Sequence, residues 1–154
     1  LENDNVWFGD EGAPCDHAVW NDALSVAFSL AQKKTWDEEV AAREAYRQRA
    51  YAWGILAELN RRYHLSNDQF DRLEPLVEEA VAEYFDDFTN MFGRSSSTVT
   101  PRYLITLFAA VPEDKVQAIL NAPQWKQWKE NDSKQISGWW ESMKNNHRWK
   151  NQKK

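Results

Sequence analysis

The chain has 154 residues, a net charge of −5, nine Trp, five Gly, five Pro and a single Cys. That length suffices for one domain with a core that needs no crosslinks. The lone Cys15 excludes an intramolecular disulfide. No apolar run reaches the roughly 18 residues of a membrane-spanning helix, so no transmembrane segment is expected.

The charge is unevenly spread. Residues 1–24 hold six acids and no Lys or Arg, whereas residues 115–154 hold nine basic residues against three acids. Such asymmetry sets the two ends against each other or against different partners.

In chain order, residues 1–15 contain Gly9, Gly12 and Pro14 and lack a helical period, so they read as an extended acidic arm. The chain begins at Leu1 with no Met, as a processed exported protein or a trimmed chain would. Asp16 caps a helix to about Lys34, whose apolar residues Val19, Trp20, Leu24 and Phe28 cover enough circumference to imply burial. Thr35 with Glu38 forms a capping box opening a long helix, Trp36–Tyr63. Its stripe is Val40, Tyr46, Ala50, Trp53 and Leu56, with Gly54 marking a close helix crossing.

Leu65–Gly93 carries the clearest signals. Ser66 and Gln69 make a capping box, and Leu65 and Phe70 have the spacing of a hydrophobic staple. Phe70, Leu73, Val77, Val81, Tyr84, Phe88 and Met91 recur every three or four residues. Pro75 implies a kink, and Gly93 a helix end. Because His64–Ser66 is so short, the helices 36–63 and 67–92 should form an antiparallel hairpin, with Tyr46, Trp53 and Leu56 facing Phe70 through Tyr84. A loop at 94–100 follows. Thr100-Pro101 opens a short helix to about Ala110. Further short helices carry Val116, Ile119 and Leu120, then Trp125 and Trp128. A last helix, capped by Asp132 or Ser133, has Ile136, Trp139, Trp140 and Met143 on one face, and residues 148–154 form a basic tail. The fold class is therefore all-α: a single domain over 1–154, with a long hairpin packed against an N-terminal helix and three or four shorter C-terminal ones.

The chemistry-bearing residues are dispersed. His17, His64 and His147 lie far apart and none belongs to a metal-binding spacing. There is no C-x-x-C, haem attachment motif or Gly-rich phosphate loop, so no metal and no cofactor are expected. Cys15 and His17 lack an orienting third group for nucleophilic catalysis. Acidic pairs such as Glu78–Glu79 diverge by about 100° on a helix and read as solvated faces. The chain reads as non-enzymatic.

Leu65-Ser66-Asn67-Asp68-Gln69 resembles the L-T-x-x-Q signature of Spy-like and CpxP-like periplasmic helical proteins, and Leu120-Asn121-Ala122-Pro123-Gln124 repeats its L-x-x-x-Q skeleton. The resemblance implies a bacterial, exported, all-helical, non-enzymatic protein that is chaperone-like or a stress sensor. The first functional expectation is a protein-binding or scaffold domain, on its own or as a subunit of a larger assembly. The alternative is an anionic-polymer, nucleic-acid or membrane surface built from Trp125, Lys126, Trp128, Lys129, Arg148, Trp149 and Lys150, where aromatic rings stand beside cations.

Overall fold

The computed structural model describes residues 18–93 and 101–151. Every regular element among them is helical. The expected acidic arm, Cys15, His17, Thr100 and the loop 94–100 lie outside the described residues. The chain divides into two compact units, Leu1–Glu44 and Ala45–Lys154.

The N-terminal unit contains α1 (Ala18–Ala27) and the first half of α2 (Leu30–Tyr63). The helix expected to run unbroken to Lys34 stops earlier, because Ser29 and Gln32 form a capping box of their own. The Ser29 N–H donates to Gln32 Oε1 at 2.9 Å, and the Gln32 N–H donates to Ser29 Oγ at 3.4 Å. Thr35 therefore does not cap. It lies inside α2, and its hydroxyl donates to the Ala31 carbonyl at 3.1 Å. The expected burial of α1 is also wrong. Val19 and Val26 are 68% and 89% exposed, and Trp20 is exposed as well. An apolar circumference predicts burial only where another element lies against it, and the described residues of this unit include no buried side chain.

The second unit holds the core. The second half of α2 pairs with α3 (Asn67–Phe88) as the expected hairpin. His64 ends α2 in the left-handed region (φ 50°), its N–H donating to the Asn60 carbonyl at 2.8 Å. From α2 the core takes Ala52, Ile55, Leu56, Leu59 and Tyr63. From α3 it takes Leu73, Val77, Val81, Phe85 and Phe88. Leu56 is buried as expected, but Trp53 is 58% exposed and meets the hairpin only through an edge-on contact with Phe70 at 6.3 Å. Tyr46 does not: it is 69% exposed, and Tyr51 instead packs edge-on against Phe85 and Phe88 at 5.1 and 5.8 Å. The stripe was read one step around the helix from the face that is buried. A Cβ on Gly54 would lie 3.0 Å from Leu104 Cδ1, the close helix crossing that a glycine permits.

The helical path of α3 continues through Pro75 and widens into a π-helical turn, Thr89–Gly93. Three short helices follow: α4 (Pro101–Phe108), α5 (Glu113–Ile119) and α6 (Ala122–Gln127). A second π-helical turn, Trp128–Asp132, joins α6 to α7 (Ser133–Asn151) without an intervening loop. No side-chain cap opens α7, because Asp132 is engaged elsewhere. Helical backbone also continues through Arg148, Trp149 and Lys150, which were expected to lie in a frayed tail. Of the expected α7 face, Ile136 and Met143 are buried and Trp140 is half-buried. Trp139 is exposed, yet its ring still meets Phe92 and Tyr103.

Leu73 is fully buried whereas Glu79 is exposed on the same helix. Leu73→Ala should therefore cost about 2–5 kcal/mol and Glu79→Ala under about 0.5 kcal/mol, read as denaturant midpoints at constant m. Comparable shifts for both would mean that the buried face of α3 is misassigned.

Candidate functional site

Two surfaces and one buried polar cluster carry the side chains with functional potential. The cluster is built first by local helix-end chemistry. Ser66 caps α3: its Oγ accepts the Gln69 N–H at 3.2 Å, and Gln69 Oε1 accepts the Ser66 N–H at 3.1 Å. Asn121 caps α6 in the same way with Gln124, at 3.0 and 2.9 Å. The two boxes then interlock. Gln69 Nε2 donates to Gln124 Oε1 at 2.7 Å, and Gln124 Nε2 donates back to Gln69 Oε1 at 3.2 Å. Each amide makes one further bond, to the carbonyl that ends another helix: Gln69 to the Ile119 carbonyl at the end of α5 and Gln124 to the Tyr63 carbonyl at the end of α2, both at 2.9 Å.

Beside this pair, Glu58 is buried and accepts from Arg61 at 2.6 and 2.7 Å and from Arg62 at 2.7 Å. Arg62 also donates to Asp132, as does the hydroxyl of Tyr63. The hydrogen bonds from Arg61, aided by Arg62 and opposed by burial, hold the Glu58 carboxyl down at about 2. Burial, reinforced by the hydrogen bond to Asp132, pushes the Tyr63 hydroxyl well above the usual tyrosine range. A proton held this firmly is not available for acid–base work near neutrality. The arrangement clamps the end of α2 to the π-helical turn before α7. Sequence reasoning missed Glu58 and Arg62 and read Asp132 only as a helix cap, since a pairing across 70 residues leaves no periodic trace.

The first surface is the expected Trp/Lys segment, from which the structure withdraws Trp128. Trp128 is buried, its ring edge-on to Phe108 at 4.9 Å, so it presents nothing to a polyanion. Trp125 is half-buried with Lys129 over its ring at 5.7 Å, and Lys129 is also tied to Glu113 at 2.7 Å. Lys126 is exposed. The side chains of Arg148, Trp149 and Lys150 fall outside the described residues.

The second surface belongs to the N-terminal unit, where sequence reasoning placed core. Leu30 is 91% exposed, and Val26, Val19, Trp36 and Val40 are also open. Phe28 and Trp36 meet with tilted rings, centroids 5.9 Å apart, and the two flank a shallow groove with Ala31, Gln32, Thr35 and Glu39. Glu39 at the groove pairs with Arg43 at 3.1 Å, and elsewhere on the exposed surface of α2 Lys33 pairs with Asp37 at 3.2 Å and Lys34 with Glu38 at 3.7 Å.

Among the described residues, no three His, Cys, Asp or Glu side chains converge as metal ligands do. Nor is any helix among them long and apolar enough to cross a membrane. Comparison with family models, curated proteins and solved structures finds no match to this chain.

Truncating Gln124 to Ala should cost about 2–4 kcal/mol, because it strands the Gln69 amide, the Tyr63 carbonyl and the Asn121 N–H. In a double-mutant cycle with Gln69→Ala, the two costs should fall short of additivity by at least about 1 kcal/mol; additive costs would mean the amides act separately.

The depressed Glu58 pKa has a definite sign. Its stabilisation is complete above the unfolded value near 4.5 and is lost as pH falls toward 2. Acid unfolding monitored by helicity should steepen across that window, and Glu58→Gln should flatten the pH dependence there. An unchanged profile in the variant would assign the acid sensitivity to other carboxylates.

Proposed function

We propose that this chain is a non-catalytic helical protein-binding module, chaperone-like or a scaffold subunit, that engages a protein partner through the apolar surface of its N-terminal unit. One observation carries the reading: Val19, Val26 and Leu30 stand open on α1 and at the start of α2, although these segments have the apolar content of a core helix. Water-exposed aliphatic side chains grouped on neighbouring turns mark a site that gains free energy when covered. Trp36, 37% exposed in the same unit, adds a rigid aromatic of the kind that dominates binding energy at protein interfaces.

The bacterial, exported setting belongs to the same proposal. It is supported by the resemblance of Leu65–Gln69 and Leu120–Gln124 to the Spy-like and CpxP-like signature. That these two segments act together in this chain, through Gln69 and Gln124, is consistent with their use as a pair. A polyanion or membrane-surface role draws less support, since Trp128 is withdrawn into the core and Lys129 is already paired.

The test is suppression of aggregation of a reduced model client, insulin B chain, followed by light scattering. The wild-type chain should lower scattering near equimolar ratio. The double variant Val26→Ser/Leu30→Ser should lose most of that effect while changing stability by less than about 0.5 kcal/mol, as exposed substitutions do. A wild-type chain without effect, or a variant as effective as wild type, would remove the proposal.

A further inference from the structure

We draw no further inference here: the strongest candidate, the exposed stripe of Tyr46, Ala50, Trp53 and Ala57 on the solvent side of α2 in the second unit, carries nothing, because nothing in the structure shows what covers it.

Discussion

The reciprocal amide pair between Gln69 and Gln124 is the contact on which the second unit depends. A glutamine at the third position of a capping box normally satisfies only its own helix end. Here each side chain also bonds the other and a carbonyl at the end of another helix. Four chain segments therefore meet at two amides: the end of α2, the start of α3, the end of α5 and the start of α6. Gln124 is buried, and its bond to the Tyr63 carbonyl replaces water that no longer has access. Removing one partner leaves several groups unpaired at once, which gives a small polar cluster leverage over the relative placement of helices distant in sequence.

The ionic clamp of Glu58, Arg62, Tyr63 and Asp132 adjoins the amide pair at the same end of α2. Tyr63 belongs to both, its carbonyl serving Gln124 and its hydroxyl serving Asp132. The clamp explains why the path from α6 to α7 widens rather than breaks. Asp132 is drawn to Arg62 and Tyr63 and does not cap α7, and the backbone stays helical through the π turn. Buried ion pairs of this kind are weak evidence for net stability, but they fix one arrangement over its competitors. At the other end of α3, His147 meets Asp87 at 2.7 Å and Tyr84 lies on both His147 and Trp140, which ties the end of α7 to the hairpin.

Much of the second unit was legible in the sequence, because its signals are local. The Ser66 box, the period from Phe70 to Phe88 and the short connection at His64–Ser66 each follow from residues close together in the chain. The pairing of Gln69 with Gln124 was visible only as a repeated Leu-x-x-x-Gln skeleton, since spacing along one chain cannot say which two caps meet. The N-terminal unit was misread for the opposite reason. Ser29 and Gln32 carry the same S-x-x-Q signal as Ser66 and Gln69, but the apolar run on either side masked the break. That run was also taken as evidence of a covering element that the described residues do not include. An apolar helix face does not by itself say what covers it.

Native-state hydrogen exchange read by mass spectrometry on the full chain tests the division directly. Exchange should be slowest through Ala52–Phe88 and Tyr103–Met143, where the amide pair and the clamp close the core, and fast through Ala18–Glu44 in dilute solution. Protection of Ala18–Glu44 should then rise when a protein partner covers its apolar surface. Equal protection of both units at the lowest concentration would contradict the account, because it would mean that the chain covers this surface by itself.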